Sequence, residues 1–160
     1  MRRVVITGLG TVSPLANGTE ATWQRLIRSE SGLGTIKGFD SAGLPANVAA
    51  EVPCDPDFKD HFNPDDYVAP KDQRKMDKFI VYGIAAATQA IQDANLTDLT
   101  DEQKERTGVI IGSGIGGLSQ IYDTSLTLSE QGPRRVSPFF IPACLINLVS
   151  GHVSIQHGFK

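Results

Sequence analysis

The chain has 160 residues, 15 of them Lys or Arg and 18 Asp or Glu, for a formal net charge of −3. Hydrophobic residues make up 40%, enough for a packed core, which excludes a disordered chain. The near-even charge balance argues against a general nucleic-acid binder, and no apolar run approaches the roughly 20 residues of a membrane span.

The N-terminus opens Met1-Arg2-Arg3-Val4-Val5-Ile6. Two cations precede only three apolar residues, fewer than the roughly 7–15 of a signal-peptide core, so the expectation is a cytoplasmic protein. Arg3–Thr7 is a β-branched run ending at Gly8-Leu9-Gly10 and reads as a buried strand entering a glycine turn. Asn17 or Thr19 is placed to cap a helix over Glu20–Ser29, with Trp23, Leu26 and Ile27 on one face. Gly32, Gly34 and Gly38 break it. Residues 35–70 carry five prolines (Pro45, Pro53, Pro56, Pro64, Pro70) and read as an irregular elaboration on one core, with a short edge strand at Ala46–Val52.

The spacing of Met76, Ile80, Ile84, Ala87 and Ile91 predicts a long helix over 71–95 that is apolar most of the way round, ended by Asn95. Thr107–Gly112 reads as a second buried strand, followed by a glycine turn and a helix over 118–129. Ser137–Pro142 reads as extended, and Ala143–Gln156 as helical. Strands alternating with helices predict an α/β fold with a mainly parallel sheet.

Several motifs carry chemistry in other settings. Gly112-Ser113-Gly114-Ile115-Gly116-Gly117 fits the dinucleotide pattern G-x-G-x-x-G. That pattern requires an acidic residue at the end of a later strand, and the chain offers only Ser137-Pro138-Phe139 at that distance. The competing reading is that the glycines permit tight turns and close packing. No phosphate-loop motif occurs. His61, His152 and His157 do not pair, since His152 and His157 project from different helix faces, and no metal cluster is expected. Cys54 and Cys144 read as free thiols. Cys144 follows Phe140-Ile141-Pro142-Ala143, where a helix start would lower its pKa; the alternative is a small buried apolar residue. Lys71, Arg74 and Lys75 form a basic cluster suited to an acidic partner, with a solvated face beside Asp72 and Asp77 as the other reading. Arg134 and Arg135 extend the cluster if the fold brings them near.

Taken together, Arg3–Gly10 with Trp23, Arg74-Lys75-Met76-Asp77-Lys78-Phe79, Gly112–Gly117, Ser137–Pro142, Asn147 and Gly151-His152-Val153-Ser154-Ile155 resemble the β-ketoacyl-acyl carrier protein synthases of the thiolase superfamily, of the synthase II type. The resemblance covers essentially the whole chain. It implies a thiolase-like fold, with this chain as the N-terminal half of an αβαβα layering and 1–160 as an incomplete synthase domain. It implies a parent homodimer that elongates fatty acyl chains. There a cysteine takes the acyl group from acyl carrier protein, and two histidines assist decarboxylation of the malonyl carrier and the Claisen condensation. That cysteine, in a Thr-Ala-Cys context, is expected beyond Lys160. No catalytic residue is therefore assigned, Cys144 is not the nucleophile, and the chain alone is expected to be inactive, without cofactor or metal.

The resemblance also implies that Ile115 lines the fatty-acyl pocket and that Phe140 reaches the partner subunit's pocket. It implies that Lys71, Arg74, Lys75, Arg134 and Arg135 form the cationic surface for acyl carrier protein. Leu148 departs from the methionine the family often has. Two alternatives remain at this point: a stand-alone carrier-docking module, and a nucleotide-binding α/β domain. The resemblance further implies that surface packing on the missing half is exposed as an apolar patch, so self-association or low stability is expected.

Overall fold

The computed structural model describes residues 2–160. Helix α1 spans Thr19–Ile27. Neither predicted residue caps it: Gly18, at φ 103°, holds the N-cap position without a side-chain acceptor. Asn17 is committed elsewhere, accepting from Gln89 Nε2 at 2.8 Å and donating to the Tyr67 hydroxyl at 3.1 Å. The apolar face expected of it is left uncovered. Trp23, Leu26 and Ile27 are each more than half exposed, and Thr22 is the buried residue of α1. The other end is fastened by Arg25, which pairs with Glu30 at 3.2 Å and lies 4.5 Å over the Phe58 ring.

A short antiparallel hairpin follows, β1 at Leu33–Thr35 and β2 at Val48–Ala50, with Leu33 opposite Ala50. Within the proline-rich stretch, Phe62 is buried and Val68 nearly so. Phe62 stacks on Tyr67 and meets Tyr82 edge-on, with ring centroids 5.8 and 5.1 Å apart.

The single helix predicted over 71–95 is two helices. Helix α2 is one turn, Pro70–Gln73, and α3 runs Lys78–Asp93. The break comes from Asp77, whose backbone turns extended (φ −77°, ψ 160°) and whose carboxylate caps α3. An aspartate immediately before an apolar helical run is a start signal, and the hydrophobic periodicity hides it. At the far end α3 stops at Asp93 and Asn95 takes a left-handed φ of 55°, ending the helix as expected. Helix α4 is Asp101–Glu105, with a capping box between Thr100 and Gln103. Helix α5 covers Leu118–Gln131. The predicted extended segment and helix over 137–156 resolve into α6, Phe140–Cys144, and α7, Leu148–His157. Gly158, left-handed at φ 73°, closes α7.

The core forms where α3 lies on α7. Ile80, Ile84 and Val149 are essentially inaccessible, and Val81, Ile91, Val153, Phe62 and Phe159 complete the cluster. Gly83 makes the approach possible, because a Cβ there would stand 2.2 Å from Val149 Cγ2.

The two predicted strands at 3–7 and 107–112 do not form a ladder, and the hairpin is the only sheet among the described residues. Among the described residues no backbone hydrogen bond joins the two segments to each other, and both leave side chains uncovered. Val4 is 94% and Ile110 99% exposed, whereas a parallel strand is normally covered on both faces. Val109 and Ile111 do pack on the core, so 107–112 buries one face only. Two backbone bonds tie it to residues outside it, both at Thr107: its N–H donates to the Lys104 carbonyl at 3.1 Å, and its carbonyl accepts from Lys160 N–H at 3.0 Å.

What fixes the N-terminal segment is α3. Leu9 N–H donates to Asp93 Oδ2 and Thr11 N–H to Gln89 Oε1, both at 2.9 Å. Residues 89 and 93 are one helical turn apart, so both acceptors share a face. Gly8 and Gly10 press against the backbone of that helix. A Cβ on Gly10 would stand 1.9 Å from the Ala86 carbonyl oxygen, and one on Gly8 2.2 Å from that of Ala90. We expect Gly10→Ala to lower the unfolding free energy by about 1–3 kcal/mol through overpacking. Gly34→Ala, with nothing within 4 Å of the new methyl, stays within roughly 0.5 kcal/mol of the parent. Equilibrium urea unfolding checks both; equal effects at the two sites would contradict the packing account.

Candidate functional site

Ile115 sits in the turn between residues 112 and 117 and is 70% exposed. The turn is pinned at its far end. Gly117 N–H donates to the Cys144 carbonyl at 3.0 Å, and a Cβ on Gly117 would stand 2.6 Å from Cys144 Cα. Gly116 is left-handed at φ 86° and equally close to Cys144. These glycines are thus required by packing against the end of α6, while Gly112 and Gly114 have open space around them.

A dinucleotide would need the N-terminal amides of α5 for its pyrophosphate. That terminus is already occupied. Asp77, 6% exposed, accepts from Gln120 N–H through Oδ2 at 2.9 Å. A carboxylate buried against the helix start leaves a phosphate facing like charge. At Gly116 and Gly117 the requirement for glycine is therefore steric.

Asp77 escaped the sequence reading as a functional residue. Its Oδ1 accepts from Phe79 N–H at 3.5 Å, and its own N–H donates to the Ala143 carbonyl at 3.2 Å. It therefore joins α3, α5 and α6. The sequence signal was the N-cap aspartate; the contact to α5 crosses 43 positions and has no local signature.

Phe140 opens α6 and is half-buried. Cys144 lies at the C-terminal end of α6, not at a helix start, so the condition for an activated thiolate is not met. Nor is it the fully buried alternative: it is half-buried, its Sγ donating to the Ile141 carbonyl at 3.5 Å, and Ala143 is the buried residue there. Cys54 is an exposed free thiol.

Lys71 and Arg74 are exposed, as are Arg134 and Arg135. None of the four makes an ion pair among the described residues. Lys75 differs. Its Nζ bonds Asp72 Oδ1 at 2.9 Å and stands 5.5 Å over the Phe139 ring. The Lys75 ammonium holds the Asp72 carboxyl below the usual carboxylate range. The Lys75–Phe139 contact brings the basic segment at 71–75 to the stretch that follows Arg134 and Arg135.

Two concavities occur elsewhere. One of about 710 Å³ lies beneath the hairpin, bounded by Arg25, Glu51, Cys54, Lys78 and Tyr82; burial pushes the Tyr82 phenol up. Another of about 600 Å³ surrounds Asn17, Tyr67, Gln89 and Asp93. Ile115, Phe140 and the five basic residues line neither. Among the described residues no group of His, Cys, Asp and Glu could hold a metal ion.

The family model for the beta-ketoacyl synthase N-terminal domain matches residues 1–160. The chain belongs to that family. A 3-oxoacyl-[acyl-carrier-protein] synthase 2 of Rhizobium meliloti is 52% identical over 160 residues, all of this chain and 38% of that protein. One of Vibrio harveyi is 45% identical over 99% of this chain and 36% of its own length. The chain thus spans under two fifths of the relatives it matches. Among solved structures, the ishigamide ketosynthase/chain length factor superposes with a TM-score of 0.80 at 29% identity, over 99% of this chain and 38% of that one. The thiolase-like fold expected from the resemblance is therefore the fold of this chain. A type II polyketide ketosynthase in complex with its acyl-carrier protein matches the fold at a TM-score of 0.71 and 24% identity, over 99% of this chain and 40% of that one.

His157 stacks on Phe159, and its Nε2 is buried without a partner. Burial lowers its pKa in the fold. The unfolded chain then binds more protons below its ordinary value near ~6.5, so stability falls as pH drops through that value and the loss levels off below the folded one. We expect His157→Gln to show a shallower drop in thermal midpoint between about pH 7 and pH 5. A steeper drop in the variant would contradict the assignment.

Proposed function

We propose that this chain is the N-terminal part of a 3-oxoacyl-acyl carrier protein synthase II. The observation that carries this reading is the 52% identity to such a synthase along the entire chain. In the whole protein a cysteine beyond Lys160 attacks the acyl thioester of the carrier, forming an enzyme thioester and releasing the carrier thiol. Malonyl-carrier then loses carbon dioxide, and the resulting carbanion attacks the bound acyl group, expelling the cysteine. Two histidines outside this chain assist decarboxylation, and backbone amides stabilise the oxyanion.

Residues 1–160 supply scaffold and recognition, with 35–70 as an elaboration on the core. Lys71, Arg74, Lys75, Arg134 and Arg135 form the landing site for the acidic carrier protein, acyl- or malonyl-loaded. Two features support this: among the described residues four of the five cations lack a carboxylate partner, and Lys75 over Phe139 draws the two segments together. Ile115 lines the acyl pocket, and its exposure is consistent with a wall completed by other residues. Phe140 serves the pocket of the second subunit in a cytoplasmic homodimer.

The chain alone has no attacking thiolate and is expected to give no condensation product from acyl- and malonyl-carrier protein. It is expected to bind carrier protein through charge, with Arg74→Glu weakening the dissociation constant by about tenfold at low salt. Titration by fluorescence anisotropy checks this. Equal affinities of parent and variant would exclude the docking surface, and turnover by the parent chain would exclude the missing-nucleophile account.

A further inference from the structure

The basic segment at 71–75, the turn bearing Ile115 and the helix bearing Phe140 are far apart in sequence, and one buried side chain touches the structure of all three. Asp77 follows the basic segment by two residues. Its carboxylate caps α3 through Phe79 N–H and the first turn of α5 through Gln120 N–H. Its N–H holds the Ala143 carbonyl of α6. Helix α5 has no cap of its own, because its N-cap residue is Gly117. The acceptor that a serine or aspartate at 117 would supply is sterically excluded there by Cys144 and is delivered from α3 instead. The negative charge also lies at the positive ends of two helices, which explains why a carboxylate tolerates being 94% removed from solvent.

We propose that Asp77 is a positioning residue that sets the Ile115 turn and α6 relative to the carrier-docking segment, and so fixes acyl-chain discrimination without touching the acyl group. This rests on the synthase reading above. Because Asp77 lies behind the basic cluster and not in it, its removal displaces the pocket wall and leaves the docking charges in place.

The test uses Asp77→Ala and Asp77→Asn in the full-length protein carrying this segment, with hydrogen exchange followed in the 160-residue chain. Loss of the cap is expected to speed exchange at the Gln120 amide by about tenfold in Asp77→Ala. Asp77→Asn, with one acceptor oxygen left, falls between parent and Ala. The ratio of kcat/KM for a long against a short acyl-carrier substrate is expected to change several-fold, while the dissociation constant for carrier protein stays at the parent value. If Ala fails to fold, Asn carries the comparison. An unchanged acyl ratio, an unchanged Gln120 amide, or carrier affinity falling in step with the ratio would each overturn the proposal. Absence of condensation by the parent full-length protein is a different result: it removes the synthase reading before any variant is compared.

Discussion

The packing of α3 against α7 is the contact on which the remaining arrangement depends. Ile80 and Ile84 meet Val149 and Val153 with almost no residual exposure, and the helices approach closely because residue 83 has no side chain. Burying a Val or Ile side chain is worth roughly 1.5–3 kcal/mol, so this cluster outweighs the surface ion pairs, which are worth about 0–1 kcal/mol each. Several other segments are referred to α3. The N-terminal stretch leans on its 86–94 face through glycines and side-chain acceptors. The aromatic group of Phe62 and Tyr67 packs beside Tyr82. The start of α3 carries Asp77, and through it α5 and α6.

Burial and charge divide the labour. Asp77 is the charged residue sealed in the fold, and it is placed where two helices present free amides. The five cations of the two basic segments are left outside, and among them Lys75 is the one restrained in the described residues, between Asp72 and Phe139. An acidic partner must compete with Asp72 for Lys75, whereas Lys71, Arg74, Arg134 and Arg135 are free of that competition. A surface with both held and free cations favours an encounter that starts on the free ones.

Much of this was legible in the sequence and some was not, for identifiable reasons. Helices with a local signal were found: the run of Ile80, Ile84 and Ile91, the stop at Asn95, and the helix after Gly117. The break at 74–77 was missed because apolar periodicity continues through Met76 while the capping aspartate stands inside it. The exposure of the α1 face was not legible, because Trp23, Leu26 and Ile27 have helical spacing but meet no core. The segments 3–7 and 107–112 have strand composition, yet a ladder is a property of two backbones, and composition reports only one. The basic cluster was visible as charge, and its approach to Phe139 was not, because it joins residues 64 positions apart. The bond from Asp77 to Gln120 was invisible for the same reason.

Native-state amide hydrogen exchange tests the central claim, that the fold is organised on α3, most directly. The account predicts the slowest exchange at Val81–Ile91 and in the second half of α7, and fast exchange in the hairpin at 33–50. Protection in the hairpin equal to or above that of α3 would contradict it.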